Sequence, residues 1–165
     1  MADKMMSERL QPSLLDRLTD DDPNNTAESR EARVIDIRRL RDIVQRDLSW
    51  LLNTNNSDTW IETTRFPLAS KSVLNYGVRE VAGDFASKDR ATIIRKSIAA
   101  AIEAYEPRIR KGSTRVDMRT DNVSRNTVIS FDIRADMWAE PIPIQLYLRS
   151  SVDVTTGEVS LERSG

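Results

Sequence analysis

Glu103 and Glu106 stand three positions apart near the end of a predicted helix, and Glu62 and Glu80 add two more carboxylates. Two carboxylates are all that glycoside hydrolysis requires, one to protonate the leaving oxygen and one to attack or to activate water. Nothing in the spacing pairs these four, and a three-residue interval between acids is common on exposed helix faces. A sugar cleft would also want several aromatic side chains, and aromatics are only 5% of the chain. There is no histidine and no cysteine. Ser-His-Asp and Cys-His catalysis, imidazole proton shuttling, disulfides and thiolate metal sites are therefore excluded. No phosphate-cradling glycine loop and no carboxylate series with metal-loop spacing occurs. The residues point to no enzyme and to no cofactor or metal.

Glu106-Pro107-Arg108 offers different chemistry. Pro107 must end the helix that precedes it. Both charges then sit where the chain turns, and the partial negative charge of a helix C-terminus favours Arg108 there. One reading is a helix stop with a solvated ion pair, which stabilises little. The other is an arginine fork and a carboxylate presented to a partner. A basic stretch follows, with Arg108, Arg110, Lys111, Arg115 and Arg119 against Asp117 alone. It lacks interleaved aromatics and any nucleic-acid reading motif, so no nucleic-acid partner is expected. An acidic protein surface or a solvated edge suits it better.

The elements that must position these residues are legible in the periodicity. Val34, Ile37, Leu40, Val44, Leu48 and Leu51 form one stripe of a helix over about 31–53, with Ile43 and Trp50 widening it. Ile94, Ile98, Ala101, Ile102 and Tyr105 mark a second helix over about 89–105. Between them, Ser70–Tyr76 reads as a short helix closed by Gly77. After Gly112 the period becomes two. Ile129, Phe131 and Ile133 alternate with polar residues, as do Ile142, Ile144, Leu146 and Leu148. Val116 with Met118, and Val159 with Leu161, suggest two flanking strands, with Thr155-Thr156-Gly157 as the turn of the last hairpin. Pro143 lacks an amide donor and predicts an edge strand or a strand beginning there. Helices first and strands afterwards predict an α+β fold. In it, N-terminal helices pack on one face of a C-terminal antiparallel sheet of about four strands.

Residues 1–30 read as a flexible arm ahead of a single domain over 31–165. Residues 1–22 hold six acids against three bases. Within them Ser13 can cap a short helix with Asp16 three positions on, as in a capping box, and Leu14, Leu15 and Leu18 share one face. Two turns are too short to persist alone. The segment Leu14-Leu15-Asp16-Arg17-Leu18 thus either docks on its own domain or orders on a partner. Thr19–Thr26 reads as a linker.

The chain has 165 residues, 39% hydrophobic and 31% charged, with 25 Lys and Arg against 26 acids and a formal net charge of −1. That fits one folded domain with short appendages and creates no global attraction to nucleic acid or an anionic membrane. Met1–Leu10 has no apolar core of the signal-peptide kind, and no run approaches 18 apolar residues, so a cytoplasmic protein without membrane insertion is expected.

An ordered series of motifs carries a resemblance. Ser13–Asp21 resembles the N-terminal signature of the TssE family, a baseplate component of type VI secretion systems. Val44–Thr54 is similar to its first-helix motif, Ser72–Gly77 to its central turn, and Glu106-Pro107-Arg108 to its helix-end triplet. The strands with Thr156-Gly157 resemble its C-terminal sheet. The chain departs from the family at Val78-Arg79-Glu80, where an apolar residue and then Pro-Asp would follow the turn; that touches only the turn's acid. The resemblance implies the fold of a contractile-tail baseplate wedge protein, a fold often labelled lysozyme-like without an activity following from the label. It implies a structural part that joins a wedge of TssF, TssG and TssK to the base of the TssB–TssC sheath, at a baseplate docked on the inner membrane. It implies contact with TssF and TssG through Glu106, Pro107 and Arg108, and it strengthens partner binding for the Leu14–Leu18 segment. It further implies strand pairing with the sheath, at the Ile142–Leu148 strand or the Val159–Leu161 strand. A peptidoglycan hydrolase and a regulatory adaptor on the same fold are the alternatives.

Overall fold

A computed structural model of the chain describes residues 13–19, 23–24, 36–62, 64–82, 88–119, 127–138 and 144–163. The chain divides into two compact units, Met1–Val44 and Gln45–Gly165, with the division inside a long helix.

The first unit holds a short helix, α1 (Leu14–Leu18), and the first half of α2 (Ile37–Leu52). Ser13 caps α1 as predicted: its hydroxyl accepts from the Asp16 N–H at 3.5 Å and donates to the Asp16 carboxylate. Asp36 caps α2, its carboxylate accepting from the Arg39 N–H at 2.6 Å. Leu40, Ile43 and Val44 are buried. Most of the predicted linker Thr19–Thr26, the start of the first predicted helix, the loop around Gly83 and Ile142-Pro143 lie outside the described residues.

In the second unit, α2 continues to Leu52 with Leu48, Leu51 and Leu52 buried. Asn53 and Thr54 stop it by turning their side chains back onto the Ser49 and Trp50 carbonyls, each at 2.8 Å. The predicted short helix is two 3₁₀ turns, Ala69–Lys71 and Val73–Asn75. Ser72 separates them, since its extended backbone closes the first turn and its hydroxyl accepts from the Leu74 N–H to cap the second. Gly77 follows at φ +120°, and a Cβ there would sit 2.2 Å from the Thr54 carbonyl oxygen. Only glycine tolerates that conformation with that close approach. The approach permits the Val78 N–H to reach the Thr54 carbonyl at 2.8 Å.

Helix α3 (Lys88–Tyr105) buries Ile94, Ile98, Ala101 and Ile102, as its spacing predicts, and Ala91 as well, with Tyr105 half-buried, and it packs against the first strand. The strands β1 (Arg115–Met118), β2 (Val128–Met137), β3 (Ile144–Asp153) and β4 (Val159–Arg163) form one antiparallel sheet in the order β1-β2-β3-β4. Ile129, Phe131, Ile133, Ala135 and Met137 of β2 pair with Val152, Ser150, Leu148, Leu146 and Ile144 of β3, so one continuous face is buried. The other face is polar and charged, as period-two alternation requires. This is the α+β architecture the sequence predicts. Of the two expectations for the strand at Pro143, an edge or a beginning, the second holds: β3 starts at Ile144 and lies between β2 and β4. It is ten residues long and β4 pairs only with Leu148–Val152 of it. Among the described residues, Ile144–Tyr147 pair with β2 alone.

Candidate functional site

Helix α3 ends at Tyr105, and Glu106 still donates its N–H to the Ile102 carbonyl at 3.0 Å. Pro107 can supply no amide, so the helix stops and the chain reverses. The reversal folds Arg108 back over Glu106. Arg108 donates its backbone N–H and its Nε to Glu106 Oε1, at 3.0 and 2.7 Å, and its Nη2 to Oε2 at 2.5 Å. A fork facing a carboxylate in this way is among the stronger charge-assisted geometries. Nη2 also reaches Asp47 Oδ2 of α2 at 2.7 Å. Asp47 in turn accepts from Arg46 Nε and Nη2 at 3.0 and 2.7 Å. The Arg46 guanidinium lies 4.8 Å over the half-exposed Trp50 ring.

The triplet is not the solvated pair of the simpler reading. The Glu106 side chain is 5% exposed and that of Arg108 27%. An ion removed from water must be paired, because desolvation costs several kcal/mol per charge. Burial lowers the Arg108 pKa, but the hydrogen bond and charge of Glu106, then those of Asp47, outweigh it and hold it above the ordinary guanidinium value. The Tyr76 hydroxyl is pushed up by burial first, and then by the charges of Asp47 and Glu106.

The same turn is tied to the sheet. The Arg108 carbonyl accepts from the Trp138 N–H at 2.6 Å, Ile109 bridges Met137, and the Arg110 N–H reaches the Asp136 carbonyl at 2.8 Å. The Glu103 carboxylate accepts from the Gly112 N–H at 2.9 and 3.0 Å. Glu103 and Glu106 therefore each hold the reversal in place. Glu62 pairs loosely with Arg65 at 3.9 Å. The basic stretch is divided in the same way: Arg108 belongs to the clasp, Arg119 lies 3.7 Å from Asp132, and Arg110, Lys111 and Arg115 are exposed.

A second feature lies on the outer edge of β4. Val159 donates its N–H to Asn53 Oδ1 at 2.9 Å and accepts from Asn53 Nδ2 at 2.8 Å. The Leu161 carbonyl accepts from Gln45 Nε2 at 3.1 Å. Two side-chain amides, Gln45 of α2 and Asn53 just beyond its end, thus occupy groups that a neighbouring strand would otherwise use. Edge strands are ordinarily blunted by some such device.

In the first unit, Leu14, Leu15 and Leu18 are 71%, 50% and 75% exposed, and Asp16 and Arg17 lie between them. The structure brings Glu106 and Arg108 together with Arg46 and Asp47, which the sequence placed in a helix motif without assigning them a role. The edge amides Asn53 and Gln45 lie in the same motif, but their role was not legible, because each acts on a strand more than a hundred positions away.

Among the described residues no group of three or more potential metal ligands occurs, and no helix is long and apolar enough to cross a membrane. No curated protein and no solved structure matches the chain. A family model does, that of the baseplate wedge protein gp25, over residues 38–142. The match runs from the start of α2 through the central turn, α3 and the clasp to the end of β2, which is most of what has just been described. The chain therefore belongs to the gp25 family of baseplate wedge proteins, whose type VI counterpart is TssE, and its role is that of a structural baseplate component.

Proposed function

We propose that the chain is the TssE part of a type VI baseplate, joining the TssF–TssG–TssK wedge to the base of the TssB–TssC sheath in the cytoplasm, and that it does so by contact without catalysis. The observation that carries this reading is the family match over 38–142, taken with the order of TssE-like motifs along the whole chain.

The clasp supports contact with TssF and TssG. Glu106 faces inward, so its work is to hold Arg108, and the surface offered to a partner is the remaining exposed part of Arg108 with Arg46 and Trp50 beside it. Arginine and tryptophan are the residue types that dominate binding energy at interfaces. The Leu14–Leu18 segment is the second contact, since three exposed leucines on a five-residue helix gain most by ordering on a partner.

The sheath contact is strand addition beside β4. Val159 spends both main-chain groups on Asn53, so Val152–Val159 is a pair without ladder bonds. Antiparallel alternation then directs the main-chain groups of Gln145 and Tyr147 to the side where β4 runs out. An incoming strand can pair with β3 along Ile144–Tyr147, in line with the end of β4, or with the outer edge of β4 at Val159 and Leu161 once the Asn53 and Gln45 amides release.

The test is co-purification of the tagged chain, separately with TssF, TssG and TssK and with TssB and TssC. Both sets are expected to be retained. Arg108→Ala is expected to lose TssF and TssG, and Tyr147→Pro with Leu161→Pro to lose the sheath proteins. Retention of every partner by all of these variants would reject the assignment.

A further inference from the structure

On the outward face of α3, away from the residues that enter the core, Ile93, Lys96, Ala100 and Ala104 recur at intervals of three and four. That face and the residues Asn56, Asp58, Ser70, Asn75, Gly77 and Arg79 line an open groove of about 370 Å³. The volume suits a few side chains, at the lower end of sites that take ligands. Ala100 and Ala104 are exposed and small, so a partner backbone can come close, and Ile93, 45% exposed, offers an apolar wall.

The groove carries more positive than negative charge. Arg79 and Lys96 line it, both are exposed, and neither has an ion-pair partner among the described residues. The Arg79 N–H bonds to the Ser97 hydroxyl at 2.9 Å, which fixes that part of the chain against α3 beside Lys96. The carboxylate in the lining, Asp58, is already committed: Oδ1 accepts from Asn75 Nδ2 at 2.8 Å and Oδ2 from Asn56 Nδ2 at 3.1 Å. Two available cations thus face one satisfied anion.

The walls are also fixed in advance. Buried Asn75 accepts from the Ser57 N–H at 2.9 Å and donates to the Ser70 carbonyl at 2.9 Å. The Tyr105 hydroxyl holds the facing loop, at 3.0 Å from the Ser72 carbonyl and 2.8 Å from that of Asn75. A rigid wall spares the ordering cost that binding otherwise carries.

We infer that this groove is a docking site, separate from the clasp and the sheet edge, for a short segment of a protein partner in which an acidic side chain stands next to an apolar one. The acid is held by Arg79 and Lys96, and the apolar side chain lies over Ile93 and the alanines. Electrostatic complementarity of this kind gives specificity and a salt-dependent association rate.

The test is selection of random phage-displayed peptides on the immobilised full chain, followed by fluorescence anisotropy with the enriched peptides. Peptides that join Asp or Glu to an apolar residue are expected. R79E/K96E is expected to weaken them by about tenfold or more. Ala100→Trp, which fills the groove and leaves both cations, is expected to abolish binding. All three residues are exposed, and an unchanged circular dichroism spectrum confirms the fold of each variant. Enrichment of basic or uncharged peptides, binding indifferent to Ala100→Trp, or no enrichment would overturn the assignment. Sedimentation showing that the chain pairs with itself through this face, lost in Ala100→Trp, would also overturn it.

Discussion

Arg108 and Asp47 meet at 2.7 Å across sixty-one positions of sequence, joining the end of α3 to the middle of α2 through one guanidinium nitrogen that also bonds Glu106. The helix-end triplet is thus an internal clasp, and the partner contact proposed for it depends on the fold it helps to hold.

Arg108→Ala would leave the Glu106 carboxylate buried without its fork. Breaking a buried pair costs about 3–5 kcal/mol, and the partial exposure of Arg108 reduces this to about 2–3 kcal/mol. A fall in Tm of about 5–10 °C is expected in thermal unfolding. The double change Glu106→Gln with Arg108→Met should lose less than Arg108→Ala alone, because it removes the orphaned charge. Equal or greater loss would mean that Glu106 finds water or another donor.

Gly77→Ala would force a Cβ to within 2.2 Å of the Thr54 carbonyl oxygen at φ +120°. The strain and the displaced Thr54–Val78 bond together cost about 3 kcal/mol. Urea unfolding should show the midpoint falling with little change in slope. A variant as stable as the parent would contradict the geometry of the central turn.

Ser150 faces the core opposite Phe131 and Leu161, fully buried, and its hydroxyl has no partner among the described residues. A buried hydroxyl without a hydrogen bond is a cost. Ser150→Ala is expected to be neutral or to stabilise by up to about 1 kcal/mol, measured by the same unfolding. A clear loss of stability would show that the hydroxyl is satisfied.

Tyr76 gives a pH dependence. Its pKa is raised in the fold above the ordinary tyrosine value of 10.0. The folded state then holds the phenol proton more tightly than the unfolded state does. The contribution to stability is complete below pH 10 and is lost as pH rises through the folded pKa. Tyr76→Phe should flatten this alkaline decline, read as unfolding free energy against pH. An unchanged decline would assign it to other groups.

The α+β order, both long helices and all four strands were legible because each rests on local periodicity. Leu40–Leu51 and Ile94–Ile102 step by helical turns, and Ile129–Ile133 alternates, whatever the tertiary context. The reversal at Pro107 was legible for the same reason. The burial of Glu106 was not, since charged residues are rarely buried and only the fork of Arg108, itself anchored on distant Asp47, makes it tolerable. The place of β3 inside the sheet depends on the lengths of two strands relative to each other. Pro143 marks the start of a strand and says nothing of its neighbours.

The central claim is that this molecule is a part on which a contractile sheath is built. Fluorescently tagged TssB imaged in living cells tests it most directly. Deleting the gene for this chain should abolish extended sheaths, and the wild-type chain, but not Arg108→Ala, should restore them. Sheaths of normal number and length in cells lacking the chain would contradict the account.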